Sequence, residues 1–169
     1  MTTDTADTIA APVLIRHAVV ADYEELCPLF AALDAQHRIA RPDQVRAADS
    51  APRTREQVDS LIAGPHTALL VAEHAGRLVG FATLALHQRM GLPIVVPARV
   101  AAVDGLFVEP AHRRAGIGRA LLARARAWAQ AKDARTIEIS THAFNQDALR
   151  LYEATGYATA TRRLMAQIA

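Results

Sequence analysis

The run Arg113-Arg114-Ala115-Gly116-Ile117-Gly118-Arg119 combines three features suited to holding a phosphate. Glycine lets backbone N–H groups approach a ligand closely, because no side chain stands in the way. A helix opening here aims its unpaired N–H groups and the positive end of its dipole at the same spot. Arg113, Arg114 and Arg119 add planar guanidinium forks that match phosphate oxygens. Two phosphate motifs are excluded. No lysine follows Gly116 or Gly118, as a P-loop requires, and Leu121 stands where a dinucleotide fingerprint needs its third glycine.

Other residues can move protons. Tyr152 lies on an apolar helical stripe and carries a phenol; Asp104 precedes the end of an apolar strand. Glu138, His87 and His142 are weaker candidates for a base, since a lone histidine more often sits satisfied or on the surface. The seven histidines show no metal-ligand spacing, and the single cysteine, Cys27, excludes an internal disulfide and gives no zinc cluster. No metal is expected.

The elements that must position these residues are readable in outline. Residues 1–11 are expected to be a flexible tail and 12–169 a single domain. Val13–Ala18 reads as a first strand, and Asp22 is placed to cap the helix after it, which carries Leu26, Leu29, Phe30 and Leu33 at helical spacing. Pro28 lies within that helix and should kink it or shift its start. Gln36–Pro52 is polar and has no clear pattern. Thr54 reads as an N-cap with Gln57 three residues on. His66–Glu73 and Arg77–Leu86 are two apolar runs joined through Ala75-Gly76, a hairpin signal.

Residues 88–97 read as a loop and Arg99–Glu109 as the strand feeding the arginine-rich turn. From Ile117 a helix presents Ile117, Leu121, Leu122, Ala125, Trp128 and Ala129 on one stripe. Thr136–Ser140 is a further strand. Asn145 caps a helix carrying Ala148, Leu151, Tyr152 and Thr155, ended by Gly156. Gly156–Ala169 has room for one or two more strands. Strands outnumber helices and the two alternate, so the class is α/β (or α+β), one mixed sheet with flanking helices.

Composition limits the function. Apolar residues are 51% and charged ones 21%, an ordinary globular balance. A net charge of +2, aromatics at 5% and no basic stripe beyond the turn argue against a nucleic-acid binder. No apolar run approaches the roughly 18 residues of a membrane span, and Met1–Ala11 lacks a signal peptide's basic start and apolar centre. A soluble, cytoplasmic protein is expected.

Arg113-x-x-Gly116-x-Gly118, preceded by Leu106-Phe107-Val108-x-Pro110 and followed by an amphipathic helix, resembles the acyl-CoA-binding motif of the GNAT superfamily of N-acyltransferases. Asn145-x-x-Ala148-x-x-Leu151-Tyr152-x-x-x-Gly156-Tyr157 resembles that superfamily's later motif. The likeness runs from about Ile15 to Ile168. It implies a mostly antiparallel sheet of six to seven strands flanked by about four helices, splayed at a central parallel strand pair. It also implies direct transfer of an acyl group, by default acetyl, from acetyl-CoA to a primary amine of a small molecule or peptide.

By the same resemblance the pantetheine arm lies along Leu106, Phe107 and Val108. The diphosphate rests on the N–H groups from Arg114 through Ala115, Gly116, Ile117 and Gly118 to Arg119. Asn145 falls where relatives touch the cofactor, and Tyr152 where they place the acid that protonates the leaving thiolate. The Val108 N–H is the expected oxyanion donor. The family's frequent glutamate falls on Ala102, so a water relay or Asp104 must substitute; period-two alternation would set Asp104 on the face of Leu106 and Val108. His37, Arg38 and Asp43 are expected near the acceptor mouth, and a homodimer is expected by analogy. The alternative is a non-catalytic acyl-CoA-binding sensor, which would bind coenzyme A but release no thiol with any amine.

Overall fold

Five strands lie side by side in chain order: β1 (Leu14–His17), β2 (Thr67–His74), β3 (Arg77–Arg89), β4 (Ala98–Val108) and β5 (Thr136–Ile139). The first three pairings are antiparallel, whereas β4 and β5 run parallel. Four helices accompany them: α1 (Tyr23–Ala40), α2 (Arg55–Ala63), α3 (Ile117–Ala131) and α4 (Gln146–Ala154). The computed structural model describes residues 12–47, 52–89, 93–94, 96–164 and 166, so the expected tail, 1–11, lies outside the described residues. The chain divides into two compact units, Met1–Ile139 and Ser140–Ala169.

In the first unit, Ala75 and Gly76 have φ of 50° and 77°. Positive φ at both central residues is what a two-residue type I′ hairpin demands, and it matches the twist of β2 and β3. β3 also takes in Gln88 and Arg89, expected in the loop, because they pair with Arg99 and Ala98 of β4. Register shifts interrupt the sheet twice. Ala72 pairs with Gly80 and Glu73 with Leu78, leaving Val79 extra. Thr83 pairs with Gly105 and Leu84 with Val103, leaving Asp104 extra. Such one-residue bulges reset which face the following side chains occupy.

One face of the sheet presents Leu69, Val71, Leu78, Phe81 and Phe107 to Leu26, Leu29 and Phe30 of α1 and Val58 of α2. The Phe30 and Phe81 rings meet at 4.6 Å, tilted by 58°. Burying each of these rings contributes about 2–3 kcal/mol. The other face is covered by α3, which packs on β2, β3 and β4 through Ile117, Leu121, Leu122, Ala125, Trp128 and Ala129, all buried as the periodicity predicts.

Thr54 closes the expected capping box: the Gln57 N–H donates to its Oγ1 at 3.3 Å, and the Thr54 N–H donates to Gln57 Oε1 at 2.8 Å. Asp22 differs from expectation. It stands at the N-cap position of α1, yet its side chain makes no cap bond to that helix. Its carboxylate instead accepts from Arg16 Nη1 and Nη2 at 2.7 and 2.9 Å and from the Val19 N–H at 2.8 Å. A charged arginine fork is a stronger partner than a helix N–H, and it draws the carboxylate toward β1. α1 continues through Pro28 from a start at Tyr23 and reaches Ala40, absorbing part of the stretch that showed no pattern.

In the second unit, Asn145 caps α4, its Oδ1 accepting from the Ala148 N–H at 3.2 Å. Gly156, with φ 88°, ends the helix as read from the sequence. The sheet has five strands among the described residues, against the expected six to seven. Residues 157–164 form no strand, and Leu164, the large apolar residue of that stretch after Tyr157, is 91% exposed. Alanine, threonine and arginine there supply no apolar face to bury, which is what holds a strand on a sheet.

Candidate functional site

The parallel pairing of β4 with β5 covers Val100–Val103 against Thr136–Ile139 and stops. β4 runs on to Val108, so within this unit its last stretch is paired with a strand on the β3 side alone. Which backbone groups face the other way follows from the ladder. The Glu109 N–H donates to the Val79 carbonyl at 2.9 Å, so these residues form a hydrogen-bonded pair. Antiparallel ladders alternate, which makes Phe107 and Phe81 another such pair and turns the N–H and C=O groups of Leu106 and Val108 away from β3. An outward edge of alternating donors and acceptors is what an amide-bearing chain can pair with.

After Val108 the chain makes a short 3-10 turn, Pro110–His112, in which the His112 Nδ1 lies 3.3 Å from Glu109 Oε2. Arg113 then folds back. Its Nε donates to the Val108 carbonyl at 2.9 Å, and its guanidinium carbon sits 5.8 Å from the Phe107 ring centroid. Arg114 adopts φ 68° and Gly116 φ 81°, with Ala115 between them not left-handed. This alternation of hand turns successive N–H groups toward a common concavity, the geometry of an anion nest.

Gly116 is the N-cap of α3, and the first bond inside the helix runs from the Ala120 N–H to the Gly116 carbonyl at 3.0 Å. The N–H groups of Ile117 and Gly118 precede it and have no acceptor within the helix. A Cβ built on Gly116 would meet no atom within 4 Å. The spot that a side chain would fill at Gly116 is therefore open, and the residues present fit a diphosphate.

The remaining candidates fall in different places. Asp104 is exposed and is the extra residue of the β4 bulge. Val103 and Leu106 oppose Leu84 and Ala82, which share a face, so Asp104 interrupts the alternation that was to align it with Leu106 and Val108. Asp43, beyond the end of α1, is held by Arg41 through bonds of 2.9 and 2.7 Å, and His37 and Arg38 lie in the last turn of that helix. In the second unit, Asn145 spends its carbonyl on the cap, and the His142 ring stacks on Phe144 at 5.1 Å. Tyr152 is buried, its ring 6.0 Å from that of Tyr157. Burial, and to a lesser degree the neighbouring Tyr157, push its phenol up to about 12. It therefore holds its proton throughout the neutral range.

A groove of about 310 Å³ lies over β3, β4 and β5, lined by His87, Arg89, Val100, Ala102 and Glu138. Arg89 was not singled out in the sequence. Its only local signal is spacing by two from His87, and that has no meaning until β3 is known to extend to Arg89. A larger hollow of about 480 Å³ beside α2, lined by residues including Arg53, Glu56 and Leu61, contains none of the candidate residues. Among the described residues, no group of His, Cys, Asp and Glu is arranged to hold a metal ion, and no helix is long and apolar enough to cross a membrane.

Residues 32–157 match the sequence profile of the acetyltransferase (GNAT) family. No curated protein sequence matches this chain significantly. Among solved structures, a mutant of the BH1408 protein from Bacillus halodurans superposes with a TM-score of 0.86 at 22% identity, covering 92% of this chain and 99% of that one. The aminoglycoside N-acetyltransferase AAC(6')-Iy in complex with CoA gives a TM-score of 0.77 at 20% identity, covering 95% and 97%. Aminoglycoside 6'-N-acetyltransferase AAC(6')-Ih from Acinetobacter baumannii gives 0.73 at 17% identity, covering 94% and 99%. At these identities the likeness is one of fold.

Proposed function

Because this chain belongs to the acetyltransferase (GNAT) family, an acyl-CoA-dependent group of N-acetyltransferases, we propose that it acetylates a primary amine of a small molecule or peptide with Tyr152 as general acid. The single observation that carries the donor half of this reading is the outward edge of Leu106 and Val108 running into the nest at Arg114–Gly116. Bound there, acetyl-CoA supplies an activated thioester: the amine nitrogen bonds to the acyl carbon as the carbon–sulfur bond breaks.

The chain's own residues then have distinct tasks. Backbone N–H groups from Arg114 to Arg119 receive the diphosphate, and Leu106, Phe107 and Val108 hold the amide arm along the strand edge. The Val108 N–H, turned away from β3, is suited to stabilise the carbonyl oxygen as it gains charge. Arg113 occupies the Val108 carbonyl, which leaves the N–H as that residue's outward donor. Tyr152 gives its proton to the departing thiolate and recovers one from solvent, a role supported by the Asn145–Tyr157 motif and by a phenol that stays protonated. The attacking amine sheds its proton to a base: Asp104, exposed on its bulge, or a water relay in its stead.

Asn145 is proposed as a further cofactor contact through its amide nitrogen. Acceptors resembling aminoglycosides are one class worth including, since two of the structural neighbours act on them by name. A cytoplasmic homodimer is the expected setting, with sedimentation velocity as its test. The test of function is acetyl-CoA titration followed by thiol release across an amine panel. Binding together with release supports the transferase, whereas binding with silence across the panel favours the sensor. Failure to bind acetyl-CoA removes both.

A further inference from the structure

The groove over β3, β4 and β5 brings three polar side chains, His87, Arg89 and Glu138, over an apolar floor. Residues opposite one another in a sheet share a face. His87 opposes Val100, Arg89 opposes Ala98, Ala85 opposes Ala102, and Ala102 in turn neighbours Glu138 on β5. His87, Arg89, Val100, Ala102 and Glu138 therefore project from one face, which agrees with their lining one hollow. The floor, Val100 and Ala102, is small and apolar, and the rim carries His87, the Arg89 guanidinium and the Glu138 carboxylate. Glu138 sits one residue before Ile139, where β5 stops pairing with β4, and its carboxylate meets Arg89 on β3.

Arg89 Nη2 and Glu138 Oε1 lie 2.5 Å apart, with side chains 49% and 55% exposed. A pair so open to water holds together weakly, and a ligand bringing the complementary charges can replace it at little cost. A monocation would satisfy Glu138 and leave Arg89 without its partner. A dication would set a second positive charge against Arg89. The ligand that satisfies both has an ammonium and an acid.

We propose that the groove takes the acceptor, and that the acceptor is a small amino acid-like zwitterion whose ammonium is held by Glu138 and whose carboxylate is held by Arg89. This rests on the transferase reading above. Glu138, one residue from the end of the β4–β5 pairing, receives the nitrogen that will be acetylated. Arg89, reaching from the far end of β3, receives the acid, where its planar fork pairs with a carboxylate in two bonds. About 310 Å³ admits a molecule of a few carbons.

The experiment uses the full chain with acetyl-CoA and matched acceptors: α- and ω-amino acids, the monoamines lacking the carboxylate, and the diamines carrying a second ammonium in its place. The expected result is a kcat/KM for the best amino acid about tenfold or more above its matched monoamine, the worth of one charge-assisted pair, with the diamine lowest. Arg89→Ala should collapse that ratio to about twofold, and Arg89→Glu should invert it toward the diamine. Glu138→Gln should raise KM for every amine while leaving KM for acetyl-CoA unchanged. Equal use of the three acceptor classes, or an unchanged ratio in Arg89→Ala, overturns the inference. So does binding of acetyl-CoA with no transfer to any amino acid, although transfer to other amines would leave the transferase reading standing. Absence of acetyl-CoA binding would instead sink that reading. Both side chains are half-exposed, so the variants are expected to fold, and a thermal melt checks this.

Discussion

The Arg113 Nε donates to the Val108 carbonyl at 2.9 Å, tying the residue that opens the nest to the last residue of β4. One side chain thus couples the strand edge to the helix N-terminus, the two surfaces proposed to hold the thioester's arm and its diphosphate. Its planar guanidinium also lies over the Phe107 ring, so both nitrogen geometry and stacking contribute.

Arg113→Ala is therefore expected to raise KM for acetyl-CoA on the order of tenfold, since a charge-assisted bond and its alignment are both lost. Arg113→Lys keeps the charge but loses the fork and should recover only part of that affinity. Steady-state kinetics with the acceptor saturating makes the comparison. An unchanged KM in the alanine variant would count against the donor site.

Arg114 carries φ 68° without being glycine, a conformation costing roughly 1–2 kcal/mol for an L residue. Arg114→Gly removes that strain, offset in part by greater freedom of the unfolded chain. The expected outcome is a gain of about 0.5–1 kcal/mol in urea denaturation together with weaker acetyl-CoA binding. Strain retained at such a position is commonly tied to function. Gly116→Val, at φ 81°, should lose stability, because a β-branched residue is strained there, and affinity, because it adds a side chain at the proposed diphosphate site.

Tyr152→Phe should lower kcat about a hundredfold, with the KM for acetyl-CoA little changed. Its phenol, pushed up to about 12 by burial, also ties stability to alkaline pH. A proton held more tightly in the folded state stabilises the protein fully below the ordinary phenol value near 10. That contribution is lost as pH climbs through about 12. Roughly two pKa units correspond to about 2–3 kcal/mol. Urea melts at about pH 9 and about pH 11.5, either side of the ordinary phenol value, should thus show a fall that is smaller in Tyr152→Phe. Equal falls would show that the buried phenol is not the cause.

Asp22 lies between the Arg16 fork and the Val19 N–H, and these bonds hold its carboxyl below the usual carboxylate range. The stabilisation is present above about pH 4 and disappears as acid protonates the group. Asp22→Asn is expected to cost roughly 2 kcal/mol near pH 7, with less loss at about pH 3, where the native carboxylate is itself being neutralised. Calorimetry at the two pH values measures the difference.

Ala75 spends a positive φ of 50° in the hairpin between β2 and β3. Ala75→Asn supplies a residue that tolerates the left-handed region and should raise stability by about 0.5–1 kcal/mol without affecting catalysis. A lower melting temperature would indicate that the turn is not type I′ in solution.

What could be read from the chain alone was chemistry contained within a few consecutive residues. The arginine-glycine turn, the Thr54–Gln57 capping box, the Asn145 cap, the Ala75-Gly76 hairpin and the buried stripe of α3 all depend on local backbone angles and on spacing, which adjacent residues declare. The tertiary structure decided everything that depends on which strand lies beside which. The bulge at Asp104 is a mismatch between two strands and has no mark in either one. The outward turn of the Leu106 and Val108 groups depends on pairing with β3. Asp22 gives its carboxylate to Arg16, six residues back, rather than to its helix, and Arg89 meets Glu138 only because the sheet brings β3 within reach of β5. Pairing energy belongs to both partners at once, so a single segment cannot reveal it; local dihedral preference belongs to one segment, and the sequence states it directly.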